Sequence, residues 1–250
     1  MADPVKRQRL DTLLTTRGLA ATRSRARDLI RRGLVKVDGA LAGKPAQLIS
    51  QTATLEVSGD ANRYVSRGAA KLITALESFS FNPEGCRVLD IGASTGGFTQ
   101  VLLERGAAHV WSVDVGHRQL NDELRCDARV SVLEGTDART LTPELIAEPV
   151  SAIVADVSFI SLAKALPAAL RLAAPGCWLV ALVKPQFELG PEAVGKGGVV
   201  RDEAERQRAL VTVRDWIDLQ PGWKVTGIVP SPIEGGDGNI ETLIGALYDA

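Results

Sequence analysis

The chain has 250 residues, of which 45% are hydrophobic and 24% charged, and its formal net charge is −1 at pH 7. This length suits one large domain plus a small one. The N-terminus is charged and the longest apolar run is only 177–183, which argues against a signal sequence and a membrane span. We therefore expect a cytoplasmic protein. Three widely spaced cysteines suggest neither a disulfide framework nor a metal site.

The first 36 residues are strongly basic, with ten Lys and Arg against three Asp, whereas the remainder carries a net charge of −8. Apolar residues at helical spacing predict a helix around 10–14 and a second between 22 and 33. Strands are predicted at 34–37 and 54–57, with an Asp-Gly hairpin turn at 38–39. Such a compact basic block favours contact with a polyphosphate backbone.

Arginines follow one face of the second helix, where Arg23, Arg27 and Arg31 stand four residues apart. A solvated cationic face is the simpler interpretation. Guanidinium groups with few acidic neighbours repel one another, however, and an anionic partner relieves that repulsion. We therefore predict that the basic residues of this segment bind a polyanion: Arg7, Arg9, Arg17, Arg23, Arg25, Arg27, Arg31 and Arg32.

The sequence RLDTLLTTRGLAATRSRARDLIRRGLVKVDG resembles the small RNA-binding S4 module, in which two helices and a hairpin form a basic platform for structured RNA. The resemblance covers about the first quarter of the chain. It implies an S4-like α+β domain over residues 1–61 and identifies RNA as the polyanion.

A polar, glycine-terminated stretch at 62–68 is typical of a linker between domains. Apolar residues on one face then predict a helix over 69–79, and Lys71 lies off that face, where a solvated surface lysine is the simpler interpretation. From residue 87 onward, strands and helices alternate, which predicts a doubly wound parallel α/β sheet in a domain spanning 69–250. The predicted strands are 87–92, 109–115, 129–135, 150–157, 177–184, 223–229 and 240–247, and the predicted helices are 98–105, 118–124, 142–147, 161–173 and 203–219.

The sequence RVLDIGASTGGFT at 87–99 combines a short strand, a glycine turn and the start of a helix. Glycines let the backbone approach a ligand that the helix N-terminus faces, so this pattern predicts a site for a nucleotide-like cofactor. Asp90, just before the turn, suits an amino group and a sulfonium better than a pyrophosphate, and Asp114 stands where an acid binds ribose hydroxyls. Together they favour S-adenosylmethionine over NAD.

Residues at the later strand ends indicate which atom accepts the methyl group. The sequence ADVSFIS lacks the Asn-Pro-Pro-aromatic turn of amino-nitrogen methylases, and no cysteine stands at a strand end, as a pyrimidine-carbon methylase would require. Asp156 and Lys184 do stand at neighbouring strand ends, and Pro185 keeps the lysine extended. A lysine oriented by a carboxylate can assist loss of the proton from a ribose hydroxyl. For Asp156 or Lys184 taken alone, a solvated position at the rim of the sheet explains the residue equally well. The occurrence of both on neighbouring strands favours a catalytic role.

The blocks SRGAAKL, DIGASTGGFT, ADVSFIS, LVKPQFE and SPIEGGDGNIETL resemble, over nearly the whole chain, those of the TlyA family of haemolysin-A-like ribosomal RNA methyltransferases. Members of this family join an S4 domain to a Rossmann-like, FtsJ-like methyltransferase domain. The resemblance implies S-adenosylmethionine-dependent 2′-O-methylation of ribose in ribosomal RNA, typically at cytidine, without a metal.

The same resemblance transfers the family's Lys-Asp-Lys-Glu tetrad onto Lys71, Asp156, Lys184 and Glu241, which overrides the simpler interpretation of Lys71. It implies that Lys184 acts on the 2′-hydroxyl, that Asp156 holds Lys184 and the methionine end of the cofactor, and that the other two position the ribose. The implied cofactor contacts are Asp90, Gly92, Ser94, Gly96, Gly97, Phe98, Asp114, Asp137 and Asp156. Asp137 replaces an amide common in the family, which makes the adenine contact less secure.

Two other function classes stay open at this point. A non-catalytic RNA-binding or ribosome-assembly factor could use S-adenosylmethionine as a structural ligand, although the intact tetrad disfavours it. A membrane-active haemolysin, suggested by the family's older name, is disfavoured because the sequence lacks a spanning segment and a strongly apolar amphipathic face.

Overall fold

The computed structural model describes residues 6–20, 22–31, 33–57, 63–195 and 197–249. The chain forms two compact units, Met1–Tyr64 and Val65–Ala250, which we call the N-terminal and C-terminal units. In the described part of the chain, no helix is long and apolar enough to cross a membrane.

The N-terminal unit packs two helices against short antiparallel strands. Its core contains the leucines predicted at helical spacing, including Leu10, Leu14 and Leu29, all fully buried. Both predicted helices and both predicted strands are present, and three further strands of two or three residues were too short to predict. β1 pairs with β4, and β2 lies between β3 and β5. The elements are β1 (Arg7–Arg9), α1 (Leu10–Thr16), α2 (Arg23–Arg31), β2 (Val35–Val37), β3 (Ala40–Leu41), β4 (Leu48–Ser50) and β5 (Leu55–Val57).

A buried carboxylate, Asp11, lies at the centre of the basic face. Arg9 donates to both of its oxygens, at 3.0 and 2.8 Å, and Arg23 and Arg27 reach Oδ2 at 3.4 and 3.2 Å. These hydrogen bonds, that of Arg9 foremost, hold the pKa of Asp11 far below its ordinary value. The sequence predicted few acidic neighbours for these arginines, and the structure shows one that Arg23 and Arg27 share, because α1 brings Asp11 within reach of side chains of α2.

The C-terminal unit is a seven-stranded sheet flanked by helices, in the order β11-β12-β10-β9-β6-β7-β8. Two short 3₁₀ turns lie at Ala138–Thr140 and Pro191–Ala193. The remaining elements are α3 (Gly68–Phe79), β6 (Arg87–Ile91), α4 (Gly97–Glu104), β7 (His109–Asp114), α5 (Asp122–Arg125), β8 (Val130–Glu134), β9 (Val150–Ala155), α6 (Leu162–Ala165), α7 (Pro167–Leu170), β10 (Ala173–Val183), α8 (Pro185–Glu188), α9 (Glu203–Asp218), β11 (Trp223–Pro230) and β12 (Thr242–Tyr248).

The predicted α/β fold is confirmed, with one strand reversed. Strands β6 to β10 are parallel to one another, whereas β12 inserts antiparallel between β10 and β11. The short connection 231–241 explains this reversal, because an antiparallel pair can be joined by a short loop whereas parallel strands need a longer crossover.

Three of the predicted helices differ from those in the structure. Residues 142–147, which contain Pro143 and are followed closely by Pro149, form turns, because so short a segment cannot sustain a helix by itself. The helix predicted at 161–173 is divided into α6 and α7 at Pro167, which lacks the N–H that would continue it. The helix predicted at 118–124 is reduced to the single turn α5, which Asn121 caps.

Strand register brings the site residues to one edge of the sheet. Ile91 pairs with Val113 on one side and with Ala155 on the other, so the residues that follow these three strands emerge side by side. β10 runs parallel to β9 and ends at Val183, at the same edge. The carboxyl ends of β6, β7, β9 and β10 therefore form one rim, which is where open α/β sheets bind ligands.

Replacing Asp11 with Asn should destabilise the N-terminal unit by about 2 kcal/mol at pH 7, because three guanidinium groups lose their shared anion. Because the pKa of Asp11 is lowered in the folded state, this stabilisation is present above about pH 4 and is lost as the pH falls toward the folded-state pKa. The difference in stability between wild type and Asp11→Asn should therefore become smaller in acid. Hydrogen exchange of peptides within 6–57 measures it. The exposed carboxylate variant Glu56→Gln is the control, and equal protection in both variants would contradict the prediction.

Candidate active site

The glycine turn after β6 approaches the loop after β9 very closely. Gly92 has φ +82°, and a Cβ at this position would lie 2.6 Å from the carbonyl oxygen of Asp156, so only glycine fits. Gly96 has φ +94°, and its Cβ would meet Leu124 Cδ1 at 2.4 Å. The turn thus uses Gly92 to join two strand ends and Gly96 to pack against a helix.

Two neighbouring cavities open at this rim, with volumes of about 650 and 190 Å³, and we call them the large and the small cavity. Predicted cofactor residues line both of them, whereas Asp90 and Gly96 line neither. The large cavity is bordered by Gly92, Ser94, Asp114, Asp137 and Asp156, among others. The small cavity is bordered by Gly92, Ser94, Gly97, Phe98, Asp156, Ser158 and Lys184, among others.

Asp114, at the end of β7, is held rigidly at the wall of the large cavity. Its Oδ2 accepts a hydrogen bond from the Ser94 backbone N–H at 2.8 Å, and its Oδ1 accepts one from the Gly116 N–H at 2.7 Å. A carboxylate has about four acceptor positions, so this one keeps capacity for a ligand's hydroxyl groups.

Asp137 has a partner that the sequence did not suggest. Its Oδ1 accepts from the Arg139 backbone N–H at 2.9 Å, and the Arg139 guanidinium contacts Oδ2 through Nη2 at 2.5 Å. These bonds from Arg139, the side-chain ones foremost, hold the pKa of Asp137 below its usual range. An adenine amino group would therefore have to share the Asp137 carboxylate with a guanidinium.

Asp90 lies behind the glycine turn and is fully buried. It accepts a hydrogen bond from Thr99 Oγ1 at 2.6 Å, and Thr99 is 2.8 Å from Ser112 Oγ. Burial raises the pKa of Asp90 to about 7. The structure therefore gives Asp90 a place in the packing between β6 and α4, whereas the sequence suggested contact with the cofactor.

Four charged side chains, Lys71, Asp156, Lys184 and Glu241, converge from distant parts of the chain. Lys71 Nζ lies 2.5 Å from Glu241 Oε2 and 4.0 Å from Asp156 Oδ2, and Lys184 Nζ forms an ion pair with Asp156 Oδ1 at 2.6 Å. The two lysines and Glu241 are each less than a tenth exposed, so the simpler interpretation of Lys71 as a solvated lysine is wrong. Two cations and two anions alternate, which lets the cluster be buried without an unpaired charge.

Several residues that support the site were missed in the sequence. Lys184 Nζ donates to Ser158 Oγ at 2.9 Å, and Ser158 could have been noticed because it stands two residues after Asp156 in an extended segment. Glu188 Oε1 accepts from the Leu162 N–H at 2.9 Å and so caps α6, and burial raises the pKa of Glu188 to about 7.

Glu134, also missed, shapes the wall that carries Gly116 and Gln119. Its carboxylate accepts from the backbone N–H groups of 118–120 at 2.8 to 2.9 Å and from Arg125 Nη2 at 2.7 Å. These bonds, that of Leu120 foremost, lower the pKa of Glu134 to about 2. A permanently ionised carboxylate thus fixes the loop after β7.

No cysteine lines either cavity, and Cys177 is fully buried. Burial raises the pKa of its thiol, which makes it a poor nucleophile. Among the residues that the structure describes, no group of three or more His, Cys, Asp or Glu could hold a metal ion. The polar side chains that border the two cavities include Lys184, carboxylates such as Asp114 and Asp156, and hydroxyls such as Ser94 and Ser158.

The raised pKa of Asp90 predicts a pH-dependent effect of Asp90→Asn. Because the pKa of Asp90 is raised in the folded state, protonated Asp90 stabilises the fold at pH values below the unfolded-state pKa. This stabilisation is lost as the pH rises through about 7. The free energy of unfolding of the wild type should therefore fall by about 3 kcal/mol relative to that of the variant between pH 4 and pH 8. Urea unfolding followed by tryptophan fluorescence measures it, since all four tryptophans lie in the C-terminal unit. Asp122→Asn, at an exposed position, is the control, and a difference that is constant with pH would contradict the prediction.

Two parts of the chain match two different protein families. Residues 64–248 match the family described as FtsJ-like methyltransferase, and residues 8–54 match the S4 domain. Among solved structures, a protein described as a hemolysin from Streptococcus thermophilus has a TM-score of 0.76 and 41% identity, and the match covers 98% of this chain and 90% of that one.

Curated relatives match over nearly the full length. The 16S/23S rRNA (cytidine-2′-O)-methyltransferase TlyA of Mycobacterium tuberculosis is 51% identical over 96% of this chain and 89% of its own. Hemolysin A of Brachyspira hyodysenteriae is 40% identical over 94% of this chain and 98% of its own. The family resemblance predicted from the sequence is thus confirmed, and the chain belongs to the TlyA family of FtsJ-like methyltransferases that carry an S4 domain.

Proposed function

We propose that the protein transfers the methyl group of S-adenosylmethionine to a ribose 2′-hydroxyl of ribosomal RNA, at a cytidine. The observation that carries the proposal is the buried cluster of Lys71, Asp156, Lys184 and Glu241 beside the glycine turn. The M. tuberculosis relative, whose name states this activity, supports the choice of substrate. Since ribosomes are cytoplasmic, the enzyme would act there.

The residues around the large cavity fit S-adenosylmethionine. A Cβ at Gly92 would close the gap to the Asp156 backbone, so the bare glycine backbone keeps the wall open to a ligand. Asp114 keeps acceptor capacity for ribose hydroxyls, and carboxylates at the rim favour a cationic cofactor over a pyrophosphate. When bound, the cofactor supplies an electrophilic methyl group on a sulfonium. We assign it the predicted contacts Gly92, Ser94, Gly97, Phe98, Asp114 and Asp156, and we assign Asp90, Gly96 and Asp137 to supporting the walls.

Activation of the hydroxyl falls to Lys184. A ribose hydroxyl is a weak nucleophile until its proton leaves or its developing negative charge is stabilised. Lys184 Nζ borders the small cavity and is held by Asp156 at 2.6 Å. As a neutral amine it can receive that proton on its lone pair, and as an ammonium it can pair with the developing oxyanion. Lys71 and Glu241, paired at 2.5 Å, keep the far side of Asp156 neutralised and shape the place of the ribose.

RNA binding falls to an S4-like domain at 1–61, joined by a linker at 62–68 to a catalytic domain at 69–250. The side chains of Arg9, Arg23 and Arg27 remain 41%, 50% and 46% exposed although they bind Asp11. One anion thus orients three cations and leaves the group a net positive charge for phosphate. Arg17 instead donates to backbone carbonyls, at 2.6 Å in the case of Ala53, and holds the loop after β4.

The other predicted RNA contacts differ in their surroundings. Arg25 donates to the Tyr64 carbonyl at 3.2 Å, within the N-terminal unit. Arg7 and Arg31 are exposed, and Arg32 lies outside the described residues. Arg7 and Arg31 join the Asp11 group in the proposed basic surface.

Lys184→Ala should reduce methyl transfer to unmethylated ribosomal subunits by at least about 100-fold, which is the lower end of the range for a lost proton-transfer group. S-adenosylmethionine affinity should stay within about threefold, because the main cofactor contacts are elsewhere. Tritiated methyl incorporation and calorimetry measure the two quantities. Lys164→Ala, an exposed lysine of α6, should match wild type.

If Lys184→Ala transferred methyl groups at the wild-type rate, Lys184 could not be the group that activates the 2′-hydroxyl. A wild type that leaves no 2′-O-methyl group on any ribosomal RNA would instead favour the non-catalytic assembly factor. Mapping 2′-O-methylated nucleotides before and after incubation with enzyme identifies the target and decides between these outcomes.

The double variant Arg23→Gln/Arg27→Gln should weaken binding to ribosomal RNA and lower the slope of log affinity against log salt by about 2. Cofactor binding should be unaffected. Filter binding across a salt series measures the slope, and circular dichroism verifies the fold. The charge-matched control Arg208→Gln/Arg214→Gln in α9 should behave as wild type, and an unchanged slope in the first variant would exclude these arginines from the RNA surface.

A further inference from the structure

One hydroxyl group in the small cavity has no role in the chemistry described so far. Ser158 stands two residues after Asp156, and both residues line the small cavity together with Lys184. Lys184 Nζ forms an ion pair with Asp156 Oδ1 at 2.6 Å and donates a hydrogen bond to Ser158 Oγ at 2.9 Å. One loop thus holds the amine through an ion pair and a hydrogen bond.

The bonding geometry of the Lys184 nitrogen indicates what this arrangement does. Besides its bond to Cε, a lysine nitrogen has three tetrahedral positions, each an N–H or, in the neutral amine, a lone pair. The hydrogen bond to Ser158 and the ion pair with Asp156 limit where the remaining position points. We propose that Ser158 is a positioning residue that, together with Asp156, aims the remaining direction of Lys184 Nζ at the substrate hydroxyl. This inference rests on the proposed function, because it concerns how Lys184 meets a ribose oxygen.

The loop that carries Ser158 is itself fastened to the segment that carries Lys184. Glu188 accepts from the Leu162 N–H at 2.9 Å, and the rings of Phe159 and Phe187 lie 5.1 Å apart. Segments 156–162 and 184–188 are therefore tied at three points along their length. These ties keep the backbone of the Ser158 loop next to the segment that carries Lys184.

A purely structural serine would look different. Ser158 is exposed at the cavity wall, so its removal creates no buried void and takes away only the hydrogen bond that Lys184 Nζ donates to it. Ser158→Ala should therefore leave the folded state intact and change only the aim of the amine.

The test compares Ser158→Ala, Ser158→Thr and Ser161→Ala in the full chain, with S-adenosylmethionine and unmethylated ribosomal subunits. Ser158→Ala should lower kcat about tenfold, the lower end of what a hydrogen bond to a charged group supplies. KM for the subunits and cofactor affinity should stay within about twofold. Ser158→Thr restores the hydroxyl and should recover at least half of the activity. Ser161→Ala, the matched hydroxyl whose side chain makes no capping bond to α6, should equal wild type.

Each alternative result has a distinct meaning. A wild-type kcat in Ser158→Ala, or a raised KM with kcat unchanged, overturns the positioning role, the second because Ser158 would then bind substrate directly. A loss in Ser158→Ala without recovery in Ser158→Thr overturns it as well. Wild-type enzyme that forms no 2′-O-methyl group refutes the proposed function itself, and this is measured before any variant.

Discussion

The C-terminal unit depends on the mutual neutralisation of four charges that the fold has taken out of water. Lys71 and Glu241 are 2.5 Å apart, and Lys184 and Asp156 are 2.6 Å apart. Removing any one of them would leave a buried or half-buried charge without its partner, which costs more than the pair contributes. These two ion pairs are possible because β12 lies beside β10 in the sheet and α3 packs against β11 and β12.

The same principle organises the N-terminal unit on a smaller scale. Asp11 is fully buried, and Arg9, Arg23 and Arg27 surround it. In both units, carboxylates hold cations in place: Arg9, Arg23 and Arg27 stay about half exposed around Asp11, and Lys184 borders the small cavity beside Asp156.

The sequence predicted the repeating strand, turn and helix pattern well, because those periods are local. It failed where a local pattern was weak or a proline intervened, as at 142–147 and Pro167. It also failed on the direction of β12, since a strand's own residues do not record whether its neighbour runs parallel. Strands of two or three residues, such as β3, carry too little pattern to be recognised.

The sequence alone determined which chemical groups stand at the strand ends: a glycine turn at Gly92, an acid at Asp114 and a lysine held by a proline at Lys184. Only the tertiary structure decided their partners. Lys71 meets Glu241 across 170 positions of sequence, and Ser158 meets Lys184 across 26. Helix and strand periods describe a few neighbouring residues, whereas ion pairs between separate elements depend on how those elements pack, and packing is a property of the whole chain.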